Sequence, residues 1–146
     1  MAKAYASAVI DAPADRVWAL IRDFNGLPVW HGGLVRSSEI EGGLRGDAVG
    51  GVRSFHLHDG THLRERLLAH SDRDRSYTYN FEKTPFEVLN YEATLRVTPV
   101  TDGDRSFVEW WTTFDCEPQR LDEWVAFFAG QVFLPGLRAI AAKLQS

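Results

Sequence analysis

Two oppositely charged residues stand among apolar neighbours in the middle of the chain. By alternation Arg53 shares a strand face with Phe55, and Glu65 shares one with Leu63. A charge in apolar surroundings is costly unless it is paired. The pattern therefore predicts that Arg53, Glu65 and Arg36 are polar anchors in an apolar pocket, gripping a ligand carboxylate, phenol or carbonyl. The alternative is a structural ion pair, or side chains that reach solvent at a sheet edge.

The same pair supplies the best candidates for catalysis, although the sequence leaves the catalytic residues unknown. Buried among apolar side chains, Glu65 would have a raised pKa and would be a general base, with Arg53 beside it. His31 follows Trp30 at the end of a short predicted helix, where its imidazole could reach the pocket mouth and act as a base. These are hypotheses about proton transfer, and a role in ligand contact alone explains the same residues.

Aromatic side chains supply most of the expected pocket wall. Tyr79 and Tyr91 are the most suggestive, because a buried phenol needs a hydrogen-bond partner. Trp110 and Trp111 must face opposite sides of one strand, and alternation favours Trp111 inward, with Trp110 nearly as good. With the anchors, the predicted ligand-binding residues are Trp30, Arg36, Arg53, Phe55, Glu65, Tyr79, Phe81, Tyr91, Trp111, Ala129 and Phe133.

The remaining residues that could bind a metal or act as nucleophiles do not predict a cofactor. His56, His58 and His62 flank a tight turn and could bind a divalent metal, but a solvated hairpin explains them better. Cys116 has no cysteine partner, and burial at a strand end is its simplest explanation. The chain contains no nucleophile elbow, phosphate-binding loop or dinucleotide-binding glycine fingerprint. We therefore expect neither a metal nor a nucleotide.

Bulk properties narrow the class of protein. A length of 146 residues predicts a single domain over 1–146, and the net charge of −4 argues against a nucleic-acid partner. A lone cysteine suits a reducing cytoplasm, and no signal peptide or stretch of about 18 apolar residues predicts export or a membrane span. The sequence leaves a monomer and a homodimer open.

Hydrophobic periodicity predicts the elements that must position these residues. A first strand (Ala4–Ile10) is followed by two short helices (Arg16–Phe24 and Leu27–His31), and then the period changes to two. Successive hairpin-like turns predict an antiparallel sheet that curls. The six further strands are Leu34–Glu41, Val49–Leu57, Thr61–His70, Ser76–Lys83, Val88–Val100 and Ser106–Cys116.

The last predicted element is a long helix, Leu121–Leu144. Its apolar residues form two successive stripes, the first ending at Val132 and the second beginning at Phe133. Its middle is apolar on nearly every side, so we expect the curled sheet to surround it. We further expect a bend between Gly130 and Pro135, with Phe133 or its neighbours facing a cavity.

This order of elements resembles the START/birch-pollen-allergen (SRPBCC) superfamily, in particular its bacterial polyketide cyclase/dehydrase-like branch. The resemblance implies an α+β helix-grip fold, in which a seven-stranded curled antiparallel sheet wraps a long C-terminal helix and encloses a hydrophobic ligand cavity. The motifs that carry it span nearly the whole chain: Ile10–Trp18, Asp23–Phe24, Pro28–His31, Gly51–Arg53, Glu65–Leu67 and Asn90–Tyr91.

The segment from Glu65 to Tyr91 is also similar to the plant abscisic-acid receptors of this superfamily. That similarity implies that Glu65 and Tyr91 point into the cavity, that Tyr79 and Phe81 belong to its apolar wall, and that Arg36 lies near the position of the receptor's cavity lysine. The hairpin from residue 56 to 61 is shorter than the receptor's gating loop. Abscisic acid itself is therefore not the expected ligand.

We predict that the protein binds a small hydrophobic, partly oxygenated molecule, such as a polyketide, lipid or aromatic compound. The alternative is a polyketide cyclase/dehydratase or aromatase-type enzyme that uses the same cavity to fold a reactive chain. A third hypothesis is an interaction module whose partner docks on the loops around His58 and Phe86. The fold class alone does not choose among them.

Overall fold

The computed structural model describes residues 1–145 and consists of one antiparallel sheet, short helices and a long C-terminal helix. The strands in sheet order are β1-β7-β6-β5-β4-β3-β2, so β2 to β7 form a meander and β1 pairs with β7. The predicted number and order of elements are confirmed. The strands are β1 (Ala2–Ile10), β2 (Val35–Ile40), β3 (Val52–Leu57), β4 (His62–Ser71), β5 (Ser76–Lys83), β6 (Leu89–Val100) and β7 (Arg105–Asp115).

Two short helices connect β1 to β2, as predicted. The first, α1, spans Ala14–Ile21 and the second, α2, spans Leu27–Trp30, with a proline in its first turn. A short 3-10 turn, Glu41–Gly43, follows β2. These helices cover one end of the sheet, where their buried faces join a single apolar core with the inner residues of the strands.

The strands bend because their pairing is irregular at several points. Registers shift on β2 between Val35 and Ser37, on β4 next to Glu65, and on β6 after Leu89. Such irregularities bend a strand and increase its twist. The resulting curled sheet has a concave face against which the C-terminal helix packs.

Alternation along β7 decides which tryptophan faces that helix. Trp110 is buried with Val108 and Phe114, whereas Trp111 lies on the outer face. The expectation that favoured Trp111 inward was wrong. On the outer face Trp111 is flanked by the cations of Lys3 and Arg96, at 6.0 and 5.1 Å from its ring centroid. Each face of β7 therefore carries a tryptophan ring with packing partners.

The C-terminal helix runs continuously from Pro118 to Leu144 but changes its winding. After a 3-10 turn (Pro118–Arg120) it comprises α3 (Leu121–Phe127), a π-helical segment (Phe128–Phe133) and α4 (Leu134–Leu144). The irregularity falls where a bend was expected, next to Pro135, which has no backbone N–H to donate. The wider turn lets Phe128 and Phe133, five residues apart, both lie buried against the sheet.

The helix is not surrounded on all sides, which corrects the expectation drawn from its composition. Its outer side carries the exposed residues Ala126 and Gly130, while Leu137 and Ile140 are fully buried on its inner side. Small apolar residues had made the helix look uniformly hydrophobic. They are tolerated in water because each exposes little apolar surface.

By length and composition alone, this helix is also apolar enough to cross a membrane, contrary to the expectation that the chain lacks such a stretch. Within residues 1–145 it is the one helix with that property. One such helix is weak evidence for a span, because the core helix of a globular protein passes the same test. Here its inner face is the apolar partner of the sheet.

The helix approaches the sheet most closely at Gly136. A Cβ atom at this position would lie 2.5 Å from Cζ3 of Trp110, too close for a real contact. Phe133, one turn earlier, stacks on the same indole with ring centroids 5.0 Å apart. The missing side chain of Gly136 therefore sets the distance between α4 and β7.

We expect Gly136→Ala to lower the free energy of unfolding by about 1–3 kcal/mol, the usual cost of overpacking a core. Gly130→Ala is the matched control, because nothing lies within 4 Å of its Cβ position. Replacing this exposed helical glycine should raise the free energy of unfolding by about 0.5–1 kcal/mol. Urea denaturation of the two variants measures both. Equal effects at the two positions would contradict the close approach of α4 to β7.

Candidate functional site

A cavity of about 400 Å³ lies between the concave face of the sheet and the C-terminal helix. Strands β2 to β7 supply one side, together with α2 and the segment that follows it, and the second turn of α3 with the π-helical segment supplies the other. Its walls are mostly apolar, with a few polar groups. The residues that line it are Leu27, His31, Leu34, Val35, Arg53, Phe55, Leu57, Asp59, Thr61, Leu63, Glu65, Tyr79, Phe81, Pro85, Phe86, Tyr91, Trp110, Phe127, Phe128, Gln131 and Val132.

The polar centre of this cavity is a buried ion pair between Arg53 and Glu65. The two residues are direct partners in the register of β3 and β4, and both side chains face inward. Glu65 Oε1 accepts a hydrogen bond from Arg53 Nε at 2.8 Å and also lies 2.7 Å from Arg53 Nη2. Arg53 is 1% and Glu65 5% exposed, so both charges are almost completely removed from bulk water.

The guanidinium of Arg53 is enclosed on its other sides. Its Nη1 donates to the backbone carbonyl of Phe24 at 3.0 Å. The rings of Phe24 and Tyr79 lie against it, with centroids 3.9 and 4.8 Å from Cζ. Aromatic faces attract a cation, and they do so more strongly where water is excluded. The position of Arg53 is thus fixed by β4, by β5 and by the segment after α1.

Glu65 is the less completely satisfied partner. Both contacts with Arg53 end on Oε1, which leaves Oε2 as the oxygen that a ligand can approach. Burial raises the pKa of the Glu65 carboxyl above its ordinary value, although the charge of Arg53 and the hydrogen bond from it oppose that rise. An arginine guanidinium is always charged, and its contacts with Glu65 Oε1 at 2.7 and 2.8 Å have the length of charge-assisted hydrogen bonds. The Glu65 carboxyl is therefore ionised in this pair.

Two tyrosines continue the polar lining away from the ion pair. The hydroxyl of Tyr79 accepts a hydrogen bond from Trp110 Nε1 at 3.1 Å. Tyr91 stacks on Phe81 with ring centroids 3.9 Å apart. Burial raises the pKa of both phenols well above the ordinary value. Both therefore remain protonated and can donate or accept a hydrogen bond.

Four of the lining residues belong to two loops, and the exposure of Asp59 places the mouth of the cavity beside them. Asp59 and Thr61 lie on the tight β3–β4 hairpin, where the Asp59 carboxylate accepts a hydrogen bond from the Thr61 backbone N–H at 2.9 Å. Pro85 and Phe86 come from the β5–β6 loop. Phe86 packs edge-on against Phe127 of the helix, with centroids 5.1 Å apart.

Six of the residues predicted to bind ligand line the cavity together. They are Arg53, Phe55, Glu65, Tyr79, Phe81 and Tyr91. All six lie on β3 to β6, where the two-residue period of the strands assigns their faces.

The other five predicted residues lie elsewhere. Arg36 is exposed on the edge strand β2, and Trp111 is on the outer face of the sheet. Trp30 and Phe133 are buried but pack on Trp110 in the core, and Ala129 is half-buried in the helix without reaching the cavity. The placement of these five side chains at the cavity was therefore wrong.

Fifteen of the lining residues were not among those predicted to bind ligand, and two of them, Trp110 and His31, carry ring nitrogens. Trp110 lines the cavity because the alternation of residues along β7 turns its side chain to the inner face of the sheet. His31, considered only as a possible base at the mouth, lines the cavity and is 8% exposed. Its Nε2 has no hydrogen-bond partner among the described residues. Burial lowers the pKa of the His31 imidazole, so the ring is neutral at neutral pH.

The three hairpin histidines do not converge on one point. His56 and His62 stack with ring centroids 4.4 Å apart, while His58 Nε2 contacts the carbonyl of Gly32. His62 also contacts Lys83 through Nδ1, at 3.1 Å. Among residues 1–145, no group of three or more histidine, cysteine, aspartate or glutamate side chains is placed to hold a metal ion.

Arg53→Met should lower the free energy of unfolding by about 3–5 kcal/mol, because it leaves the Glu65 charge buried without a partner. The double variant Arg53→Met with Glu65→Leu should recover most of that loss, since it buries no charge. Chemical denaturation measures both effects. Arg45→Met is the control, because its ion pair with Asp47 is at the surface and its side chain is 83% exposed; its unfolding midpoint should hardly move. A double variant as unstable as Arg53→Met would contradict the pairing.

Comparison with known proteins agrees with this architecture. The chain matches the model of the family described as polyketide cyclase/dehydrase and lipid transport over residues 1–145. Among solved structures it is similar to XoxI from Bacillus cereus, with 34% identity, a TM-score of 0.86, and coverage of 100% of this chain and 97% of that one. An uncharacterised protein from Bacillus thuringiensis shares 32% identity with a TM-score of 0.86, covering 99% and 100%.

A more distant structure is norcoclaurine synthase from Thalictrum flavum, solved in complex with dopamine and hydroxybenzaldehyde. It shares 17% identity and a TM-score of 0.79 over 98% of this chain and 86% of that one, which shows a common fold and no more. No curated protein matches the sequence. The predicted helix-grip fold is confirmed, and with a family match over residues 1–145 the chain belongs to the polyketide cyclase/dehydrase and lipid transport family.

Proposed function

We propose that this protein binds a small hydrophobic, partly oxygenated molecule in the cavity between the sheet and the C-terminal helix. The observation that carries the proposal is the cavity itself, an apolar space of about 400 Å³ with one buried ion pair in its wall. Ligand sites of small molecules have this composition, in which apolar walls give affinity and a few placed polar groups give orientation. A polyketide, a lipid or an aromatic compound meets both conditions.

The proposed contacts divide between two kinds of residue. Phe55, Phe81 and Leu63 would cover the apolar skeleton, since all three are at the cavity and largely withdrawn from bulk solvent. Glu65 and Tyr91 would meet its oxygen atoms. Family membership supports a ligand-binding role. The lone Cys116 suits a reducing compartment, and we assign the activity to the cytoplasm on that ground.

Filling the cavity tests this proposal. Leu63→Trp adds bulk at a lining residue that is 4% exposed, so it should abolish binding. Leu121→Trp makes the same replacement at a position 40% exposed and outside the cavity, so it should bind like the wild type. Thermal unfolding with a panel of fatty acids, polyketides and aromatic alcohols is the measurement. A ligand at a hundred times its Kd should stabilise the wild type by about 2.7 kcal/mol.

Native mass spectrometry of the purified protein complements the panel by revealing any molecule that co-purifies. Circular dichroism must show that both tryptophan variants are folded. Stabilisation that survives in Leu63→Trp would place binding outside this cavity. A wild type that gains no stability from any member of the panel, and carries no co-purified molecule, would refute the proposal.

The alternative, an enzyme of the polyketide cyclase/dehydratase or aromatase type, has one specific observation in its favour. Burial raises the pKa of Glu65, which brings this carboxylate closer to the range of an effective general base. A cavity that folds a reactive chain beside such a group would favour intramolecular condensation. Tyr79 or Tyr91, the two phenols that line the same cavity, would assist the proton transfer.

The enzyme hypothesis predicts that Glu65→Gln lowers kcat for the cyclisation of a linear poly-β-ketone by about 100-fold or more while KM changes little. Product formation is followed by mass spectrometry. Asp59→Asn, which removes a carboxylate at the mouth of the same cavity, is the control and should keep the wild-type kcat. If the wild type gives no more product than buffer, the protein is not an enzyme of this kind.

A further inference from the structure

The charges that line the cavity leave no cation for an anionic ligand. Among the described lining residues the charged ones are Arg53, Glu65 and Asp59, with a formal sum of −1. Arg36, which was expected to offer a second cation, is exposed on β2 and away from the cavity. His31 is neutral because burial lowers its pKa. A carboxylate entering this space meets the negative charge of Asp59 at the mouth and the carboxylate of Glu65 deeper in the cavity.

Arg53 itself has no free side to offer. Its Nε and Nη2 contact Glu65 Oε1, and Nη1 donates to the Phe24 carbonyl. The rings of Phe24 and Tyr79 cover the guanidinium, which is 1% exposed. A ligand carboxylate would have to displace Glu65 from this arrangement and leave that charge buried without a partner, which is strongly unfavourable.

Glu65 offers the opposite chemistry. An ionised carboxylate only accepts hydrogen bonds, and both of its contacts with Arg53 use Oε1. Its second oxygen can therefore accept a hydrogen bond from a ligand hydroxyl. Such a bond to a charged acceptor in an apolar site is stronger than a bond between neutral groups.

We propose that the cavity selects neutral ligands that carry a hydroxyl group, a phenol or an alcohol, which donates to Glu65 Oε2, and that it rejects the same skeleton bearing a carboxylate. This inference rests on the proposed function and narrows it to one ligand class. Fatty acids and other carboxylates are poor ligands, and hydroxylated aromatic or aliphatic molecules are good ones.

Three probes with one skeleton test the selection: naphthalene, 2-naphthol and 2-naphthoate, compared near neutral pH by isothermal titration calorimetry. At that pH the naphthol is neutral and the naphthoate is ionised. We expect 2-naphthol to bind about 10-fold or more tightly than naphthalene, the range for a hydrogen bond to a charged group. We expect 2-naphthoate to bind at least about 10-fold more weakly than 2-naphthol.

Glu65→Gln should reverse this order, because the neutral amide leaves the Arg53 cation without a counter-charge. In that variant 2-naphthoate should gain affinity and 2-naphthol should lose its advantage over naphthalene. Asp59→Asn removes an equal charge at the mouth but leaves the ion pair intact, so 2-naphthol should keep its advantage over naphthalene, and the weaker binding of 2-naphthoate should be relieved only in part. If Glu65→Gln does not fold, the three wild-type affinities and Asp59→Asn decide the question.

The outcomes separate this inference from the proposed function. Binding of naphthalene and 2-naphthol with equal affinity, or of 2-naphthoate as tightly as 2-naphthol, overturns the hydroxyl selection and leaves an apolar ligand cavity standing. Loss of the preference in Asp59→Asn as complete as in Glu65→Gln also overturns it, because the mouth charge would then be responsible. Failure of all three probes to bind the wild type overturns the inference together with the proposed function for ligands of this size.

Discussion

The buried ion pair between Arg53 and Glu65 fixes the relative positions of the strands and the helical segment that surround it. Two charges held away from water require good geometry and further hydrogen bonds around them. Here one guanidinium contacts the carboxylate on β4, a ring on β5 and the carbonyl of Phe24 after α1. The strands and the first helical segment are thereby tied together at the wall of the cavity. The apolar surroundings that make the pair costly to break also make its remaining acceptor strong.

Much of this arrangement follows from sequence. Hairpin turns and the change of period from 3.6 to two were sufficient for the meander of β2 to β7, because neighbouring strands in that part of the chain also pair in the sheet. The pairing of β1 with β7 does not follow from hairpin turns. Arg53 and Glu65 could be identified as cavity residues because each shares its strand face with apolar residues, and that face is the one that points inward. Tyr79 and Tyr91 followed from the same period and from the resemblance to known families, which gave their side of the sheet.

The errors have local physical causes. Trp111 resembles an inward residue because it is large and aromatic, yet the cations of Lys3 and Arg96 cover its ring on the outer face. Arg36 was expected at the cavity from its similarity in position to the receptor's cavity lysine, but it lies on the edge strand β2, whose register shifts beside it, between Val35 and Ser37. Neither a flanking cation from another strand nor a pairing irregularity is visible in the local sequence.

The π-helical segment restricts where relatives of this protein can gain or lose residues. Along the inner face, successive buried residues of the helix stand four, five, four and three positions apart, at Trp124, Phe128, Phe133, Leu137 and Ile140. The five-residue step is what an extra residue inserted into a regular helix would leave behind. Deleting one residue there would swing every side chain beyond it by roughly 100° about the axis. Relatives are therefore expected to differ in length in loops and termini, and to keep the residue count between Phe128 and Gly136 unchanged.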